Sequence, residues 1–210
     1  EMKVQILSKQ QMSQLFEEGY TIIRDAVAND KIVTARRAIN QSLGKGMSFR
    51  EAFFGMALGY CSELNDRDEI LGLYYGSKVE SAVKEILGED NVEPVDSGQI
   101  ALRFSQTENN YNILAPHIDG IPSPYNGITK DNYNNFELLV GVFLNDITEH
   151  YSGNLVVWPR SHMLFCKYFQ ENGPESILNG MPNVELGPFE QIKVKQGDAI
   201  ICNYLLAHSV

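Results

Sequence analysis

The sequence has few of the features that mark membrane, secreted or disulfide-stabilised proteins. It contains 3 cysteines in 210 residues and no Cys-x-x-Cys pair, which indicates free, buried thiols in a reducing compartment rather than a disulfide framework. No apolar run approaches the roughly 20 residues of a membrane-spanning helix, and the amino terminus lacks the basic and apolar segments of a signal peptide. We therefore expect a cytoplasmic protein that has no membrane partner.

Positive charge is also scarce. Lys and Arg total 17 against 27 Asp and Glu, which gives a formal net charge of −10 without any basic cluster. Because binding to a phosphate backbone needs clustered positive charge, we expect no nucleic-acid partner. The 43% hydrophobic and 21% charged residues are typical of a globular chain and exclude disorder. At this length a single domain over residues 1–210 is favoured.

Helical patterns dominate residues 1–90. Ser8 and Gln11 have the spacing of a capping box, and Gly19 is placed to end that first helix. After a short β-branched run, Asp30 is predicted to cap a second helix whose apolar residues follow at helical spacing. Further helices are predicted over residues 49–60, 66–75 and 77–87.

Strand patterns dominate residues 91–210, where apolar and polar residues alternate with a period of two. Helices followed by antiparallel strands indicate an α+β chain whose β part is a sandwich or a barrel. The polar stretch 120–135 is expected to form a loop. Strands are predicted over residues 99–104, 137–147, 154–158 and 191–195, and one long apolar strand over residues 199–207.

The four histidines include a candidate metal-binding pair. His117 and Asp119 are two residues apart, so on a strand their side chains point the same way. His208 lies on the last apolar strand, and if it points inward, Leu206, Tyr204 and Cys202 share its face by the two-residue period. His117, Asp119 and His208 could then form the facial triad of non-haem Fe(II) oxygenases. A His-x-Asp pair alone is common, and a polar strand end capped by the aspartate is the alternative. His162 is expected to organise a turn and His150 to be solvated.

Five stretches of the chain match the motifs of one enzyme family in the right order. They are LFEEGYTII (15–23), HID (117–119), GNLVVWPRSH (153–162), GD (197–198) and LLAHS (205–209). Together they resemble the phytanoyl-CoA dioxygenase family of Fe(II)- and 2-oxoglutarate-dependent oxygenases. The resemblance implies a double-stranded β-helix core of the jelly-roll or cupin kind over residues 91–210. The mainly helical residues 1–90 would support that core.

The resemblance also implies the roles of individual residues. His117, Asp119 and His208 would bind Fe(II), with 2-oxoglutarate as co-substrate and O₂ as oxidant. A carboxylate at position 119 implies hydroxylation of an aliphatic C–H in a small molecule, because halogenating relatives have a small residue there. Gln99 and Arg103 lie four residues apart on a predicted strand and would contact substrate or 2-oxoglutarate. The alternative for these two is an edge strand whose polar face meets solvent.

The chain departs from the family pattern at its carboxyl end. Relatives bind 2-oxoglutarate with an arginine a short stretch beyond the distal histidine, whereas this chain ends two residues after His208. We therefore expect a truncated carboxyl end, and Arg103 is the stand-in that the chain offers. A second hypothesis is a non-catalytic jelly-roll binding module that keeps the fold and the metal. The sequence carries no signal for the oligomeric state.

Overall fold

The structure is a computed structural model that describes residues 5–104, 115–122 and 136–209. Helices come first along the chain and strands dominate afterwards, as predicted for an α+β protein. The α-helices are α1 (Lys9–Glu18), α2 (Asn29–Leu43), α3 (Phe49–Leu58), α4 (Asp68–Leu71), α5 (Lys78–Leu87) and α6 (Ser161–Asn172). The strands are β1 (Tyr20–Ile23), β2 (Leu138–Val142), β3 (Val156–Val157), β4 (Glu190–Gln191), β5 (Ala199–Asn203) and β6 (His208–Ser209).

The first helix begins and ends where its sequence predicts. The Ser8 hydroxyl accepts a hydrogen bond from the Gln11 backbone, and the Gln11 side chain accepts one from the Ser8 backbone. Gly19 then ends the helix with φ of 88°, a left-handed conformation that glycine adopts without steric cost. The capping box and the glycine stop are confirmed.

Other helix boundaries differ from the predictions. Asp30 does not cap α2, because the helix begins at Asn29 after Ala28 and Asp30 lies in the first turn, where a carboxylate still favours the helix dipole. The helix predicted over 66–75 is a single turn, α4, followed by hydrogen-bonded turns. Helix α6 was not predicted. Its amphipathic signal is weak, since it buries few side chains.

Among the described residues, the β part contains two three-stranded antiparallel sheets. The strand orders are β1-β5-β2 in the first sheet and β4-β3-β6 in the second. Residues that alternate along β5 contact different layers: Ala199 and Ile201 face the helices, whereas Ile200 and Cys202 face the second sheet. This alternation follows from the pleat of a strand, and it makes the β part a sandwich.

Three apolar clusters hold the layers together. The helix cluster lies between the first sheet and helices α1, α2, α4 and α5, and it includes Leu15, Ile32, Ile39, Val79 and Ile201. The interior cluster lies between the two sheets and consists of Tyr20, Val157, Ile192, Val194, Ile200, Cys202 and Leu206. The outer cluster joins the second sheet to α6 and consists of Ile118, Val156, Trp158, Phe165, Ile177, Leu205 and Ala207. Each fully buried aliphatic side chain in them contributes about 1.5–3 kcal/mol.

The predicted strand over residues 199–207 is two strands separated by a corner. Strand β5 ends at Asn203, whose side-chain oxygen accepts a hydrogen bond from the Leu205 backbone and whose carbonyl accepts one from Leu206. An asparagine that binds the backbone two residues on favours a turn over a strand. The corner carries the chain from the first sheet to the second, where β6 begins at His208.

The predicted strand over residues 99–104 is also wrong. Within the described part of the chain, its ladder contact is an isolated bridge between Ile100 and Tyr60, in which the Tyr60 backbone N–H donates a hydrogen bond to the Ile100 carbonyl. Alternating polarity is insufficient where the backbone has one partner residue instead of a whole strand. Most of the predicted loop over 120–135 lies outside the described residues.

Cysteine burial follows the prediction at two positions of three. Cys61 and Cys202 are buried and Cys166 is exposed on α6, with all three thiols free. Trp158 is buried in the outer cluster. Within the described residues, no helix combines the length and apolar character needed to cross a bilayer.

Candidate metal centre

The corner between β5 and β6 places His208 in the sandwich interior. His208 lies opposite Val157 in the antiparallel pairing of β6 with β3, and directly opposed residues point to the same face of a sheet. Because Val157 belongs to the interior cluster, the His208 side chain also points inward. Its side chain is 9% exposed, so the inward orientation on which the metal-site prediction depended is observed.

The second histidine reaches the same place through the backbone. His117 donates a hydrogen bond to the His208 carbonyl at 3.0 Å, and His208 donates one to the His117 carbonyl at 2.9 Å. This reciprocal bridge sets the two residues directly opposite each other. Ile118 points to the opposite side and is buried in the outer cluster. Asp119 therefore returns to the side of His117, as the two-residue period predicts.

Three ligand atoms converge at this bridge. One oxygen of Asp119 lies 3.7 Å from Nε2 of His208 and 4.0 Å from Nε2 of His117. The two imidazole rings have centroids 4.4 Å apart and are tilted by 56°. One ligand atom from each residue lies within 4.8 Å of the other two. The sequence-predicted triad is thus assembled in three dimensions from residues 89 positions apart.

The donor set and its spacing fit a divalent transition metal. Three atoms within 4.8 Å of one another have a central point no more than about 2.8 Å from each, and small side-chain rotations would shorten this to the ~2.1 Å of metal–nitrogen and metal–oxygen bonds. Two imidazoles and one carboxylate suit iron(II) or its divalent surrogates and leave coordination positions open. The side chain of His117 is 51% exposed and that of Asp119 is 30% exposed, which leaves the site accessible from one side.

Backbone carbonyls orient both imidazoles. Nδ1 of His208 lies 2.9 Å from the Leu206 carbonyl, and the backbone of Ala115 forms a hydrogen bond with the His117 ring. Each histidine thus contacts the backbone two residues before it, which leaves the Nε2 atoms facing Asp119. Hydrogen bonds of this kind fix the tautomer in which Nε2 is free to bind a metal.

Burial and charge favour the neutral form of His117. Desolvation is the main cause that lowers the pKa of His117, and the neighbouring His208 lowers it further. The Asp119 carboxylate and the Ala115 backbone act in the opposite direction but do not cancel the shift. Metal binding requires a neutral imidazole, so the site favours the form that a metal needs.

Sequence reasoning did not assign a role to Cys202, which lies beside this site. Cys202 faces the interior cluster from β5, and burial together with the Asp119 carboxylate raises the pKa of its thiol to about 12. Two-residue alternation from His208 pointed to Cys202, Tyr204 and Leu206 on one face. Cys202 and Leu206 do face the interior, whereas Tyr204 packs against the outer cluster because the corner interrupts the period.

A side-chain hydrogen bond also joins the two sheets. The Tyr20 hydroxyl donates a 2.6 Å hydrogen bond to the Glu190 carboxylate. Tyr20 lies opposite Cys202, and Glu190 lies opposite Val157. Burial and the neighbouring Glu190 strongly raise the pKa of Tyr20, which keeps the phenol protonated. The sequence offered no signal for this pair, because Tyr20 and Glu190 are 170 residues apart.

Gln99 and Arg103 lie beyond the contacts of the triad. Gln99 is exposed and its side chain lies against Gly59, while Arg103 is half-buried with its side chain against Gly153. The Arg103 guanidinium donates to the Leu102 carbonyl, and its buried Nε has no hydrogen-bond partner among the described residues. Burial lowers the pKa of Arg103, and nearby Tyr60 opposes this shift.

The remaining histidines have structural surroundings. His162 lies in the first turn of α6 instead of a loop turn, is 8% exposed, and places Nε2 3.0 Å from the Phe16 carbonyl. His150 is exposed and its ring lies near Tyr151. Neither belongs to the metal-binding group.

Known structures with the same fold are 2-oxoglutarate-dependent non-haem enzymes. The epimerase SnoN of nogalamycin biosynthesis is 13% identical with a TM-score of 0.56, over 96% of this chain and 73% of its own. The carbocyclase SnoK of the same pathway is 14% identical with a TM-score of 0.54, over 97% and 77%. HygX from Streptomyces hygroscopicus, solved with nickel and 2-oxoglutarate, is 13% identical with a TM-score of 0.52, over 98% and 80%.

These similarities establish the fold. They confirm the predicted double-stranded β-helix of the jelly-roll kind with a helical amino-terminal part, which is the architecture of these enzymes. No protein-family model and no curated protein sequence matches the chain. Chemistry on a shared fold depends on the site, and for this chain the candidate site is the triad described above.

Proposed function

We propose that this protein is an Fe(II)- and 2-oxoglutarate-dependent oxygenase of the phytanoyl-CoA dioxygenase kind, acting on a small molecule. One observation carries the proposal: His117, Asp119 and His208 bring their ligand atoms within 4.8 Å of one another. Two imidazoles and one carboxylate with open coordination positions are the ligand set of this enzyme class. The solved structures of HygX and SnoN with 2-oxoglutarate and nickel or iron support the same cofactors.

The protein's own residues would hold and orient the reactants. When bound, iron with 2-oxoglutarate and O₂ supplies the oxidising power, which no protein side chain has. His117, Asp119 and His208 would hold the metal through three ligands and leave its other positions to co-substrate and O₂. The half-exposed side of His117 would admit the substrate, and the apolar interior around Val157 and Leu206 would exclude water from the buried side.

We propose hydroxylation of an aliphatic C–H as the reaction. Asp119 is the supporting residue, because its carboxylate takes a coordination position that a halogenase leaves to halide. SnoN and SnoK are an epimerase and a carbocyclase, so the outcome depends on which substrate carbon the pocket presents. HygX and SnoN have been solved with hygromycin B and nogalamycin RO, and these ligands support a small-molecule substrate for this chain.

Arg103 and Gln99 remain proposed contacts of the co-substrate or the substrate. Arg103 is the better supported, since its half-buried guanidinium lacks an acidic partner in the part of the chain that the structure describes. A desolvated cation without a counter-charge is costly, and an incoming carboxylate would relieve that cost by bidentate binding. Gln99 no longer shares a strand face with Arg103, so its proposed role rests on the family resemblance.

Anaerobic titration tests the proposed function. Fe(II) is added under argon, followed by 2-oxoglutarate, and the weak visible charge-transfer band of the ternary complex is recorded before O₂ is admitted. We expect one equivalent of Fe(II), the band, and release of succinate. The matched control is Asp119→Ala, which keeps both imidazoles and is expected to bind Fe(II) on the order of 100-fold more weakly.

Each outcome separates the two hypotheses. Stoichiometric Fe(II) binding without the band or succinate would favour the non-catalytic binding module, and absence of Fe(II) binding would overturn the metal site. Arg103→Gln tests the anion contact against Arg37→Gln, which changes an exposed arginine on α2. A weaker 2-oxoglutarate or substrate affinity in the first variant alone would support the role of Arg103.

A further inference from the structure

The corner that carries His208 is held by a side chain from another element. Among the backbone N–H groups from Asn203 to His208, five donate to backbone carbonyls or to Asn203 itself. The exception is Ala207, whose N–H donates to the Ser161 hydroxyl at 2.8 Å. Ser161 is 1% exposed and Ala207 is fully buried, so no solvent replaces this bond. A buried N–H without an acceptor is strongly disfavoured.

Ala207 lies directly before the metal ligand, so its position sets that of His208. The Ala207 carbonyl accepts a hydrogen bond from Trp158, and the next N–H, of His208, donates to His117. The Leu206 carbonyl on the other side of Ala207 orients the His208 ring. A shift of the Ala207 peptide would therefore move both the backbone bridge and the ring bond that aim Nε2 at the metal.

Ser161 is itself fixed by its neighbours at the start of α6. Arg160 donates its backbone N–H to the Glu18 carbonyl at 2.9 Å, and the His162 ring contacts the Phe16 carbonyl. Two residues of α1 thus hold the positions on both sides of Ser161. Helix α1, helix α6 and the corner meet at Gly19, where an added Cβ would lie 2.5 Å from the His162 ring and 2.9 Å from Leu206.

We propose that Ser161 is a positioning residue for the metal ligand His208, acting through the Ala207 peptide. The inference rests on the proposed function, because it assumes that His208 binds a metal. It gives the Pro-x-Ser-His stretch at residues 159–162 a role in the metal site, although none of its side chains contacts the triad atoms. The Ser161 hydroxyl connects the start of α6 to the peptide that precedes His208.

Cobalt(II) binding tests the proposal. Co(II) is titrated anaerobically into the intact protein and into Ser161→Ala, Ser161→Thr and Ser176→Ala. Ser176 is the matched control, since its hydroxyl also bonds to a backbone group, the Gly173 carbonyl at 2.7 Å. We expect Ser161→Ala to weaken Co(II) binding by about tenfold or more, the range seen when a group that orients a ligand is removed. Ser161→Thr, which keeps the hydroxyl, and Ser176→Ala should stay within about twofold of the parent.

A second readout is independent of the metal. Nitrogen NMR of the metal-free protein reports which ring nitrogen of His208 carries the proton, and we expect Nδ1 in the parent and a mixture in Ser161→Ala. If Ser161→Ala does not fold, Ser161→Cys replaces it, because sulfur fills the space but accepts hydrogen bonds weakly. Equal Co(II) affinity and an unchanged tautomer in the folded variant would overturn the proposal. A parent protein that binds no Co(II) would overturn the proposed function, while the tautomer comparison would still decide the role of Ser161.

Discussion

The two halves of the candidate metal site are held in different ways. His208 sits behind a corner whose backbone N–H groups are all bonded, and its side chain is 9% exposed. His117 and Asp119 are joined to the sandwich by the backbone bridge between His117 and His208 and by the buried Ile118. Their side chains are 51% and 30% exposed.

The packed half and the exposed half are suited to different tasks. The His208 half is part of the packed core, so its geometry is fixed before any ligand arrives. The side chains of the His117–Asp119 half are the more exposed ones, so we expect a bound metal to order this half further. Under the proposed function, the packed side would hold the metal and the exposed side would admit the substrate.

The largest expected effect comes from the packing behind His208. Leu206 is fully buried in the interior cluster, and Leu206→Ala should lower the free energy of unfolding by about 2–5 kcal/mol through the cavity it creates. Urea unfolding measures this change. Leu164→Ala, at a residue of α6 that is 40% exposed, is the control and should change stability by less than about 0.5 kcal/mol. A similar loss of unfolding free energy in both variants would contradict the conclusion that tight packing holds the His208 half.

The two histidines should differ in stability but agree in metal binding. His208→Ala and His117→Ala should each weaken Co(II) binding by on the order of 100-fold, since each removes one of three ligands. Without metal, His208→Ala should cost about 1–3 kcal/mol because it empties a buried position, whereas His117→Ala should cost less than about 0.5 kcal/mol. Titration and metal-free thermal unfolding measure the two effects. A larger metal-free loss of stability in His117→Ala than in His208→Ala would contradict the difference between the two halves.

Metal addition should protect the open half more than the rigid half. We expect saturating Co(II) to slow hydrogen exchange at the amides of Asp119 and Gly120 by about tenfold or more. The Ala207 amide, already bonded to Ser161, should slow less. Exchange with and without Co(II), followed by mass spectrometry of short peptides, measures the difference. Equal slowing in both segments would show that the two halves open together.

The smallest effect is an acid-dependent one at the other end of β5. Burial tends to raise the pKa of Asp198, but hydrogen bonds from Lys195, Arg24 and Asp25 outweigh it and leave the pKa below its usual value. A depressed pKa gives stability that is present above the unfolded value of about 3.9 and is lost as the pH falls through the folded value.

Asp198→Asn should therefore cost about 1–2 kcal/mol at pH 7 and flatten the loss of stability below pH 4. Thermal unfolding from pH 3 to pH 7 measures both changes, with Asp90→Asn at an exposed position as the control. Asp198 lies before β5, whereas the corner that carries His208 lies after β5. Protonation of Asp198 should therefore loosen the first sheet at the end of β5 that is farther from the candidate metal site. Equal loss of stability below pH 4 in Asp198→Asn and Asp90→Asn would contradict the role of the Asp198 contact.

Local patterns in the sequence predicted much of the fold. Three features depend on neighbours within a few residues and could therefore be predicted from the sequence. They are the Ser8 capping box, the end of α1 at Gly19 and the alternation along β5. Arg103 shows where such patterns fail, because its strand required a partner strand that the described chain does not provide. Helix α6 was missed because few of its side chains are buried, which leaves a weak amphipathic signal.

By itself, the sequence determined which residue types could bind a metal and that His117 and Asp119 point the same way. Only the tertiary structure decided that His208 joins them. The apolar run from Ala199 to Ala207 has the pattern of one strand, yet Asn203 turns the chain within it. The turn leaves the Ala207 N–H without a backbone acceptor, and the Ser161 hydroxyl accepts that hydrogen bond. Whether a residue belongs to one sheet or the other depends on hydrogen-bond partners far along the chain, and local periodicity carries no information about them.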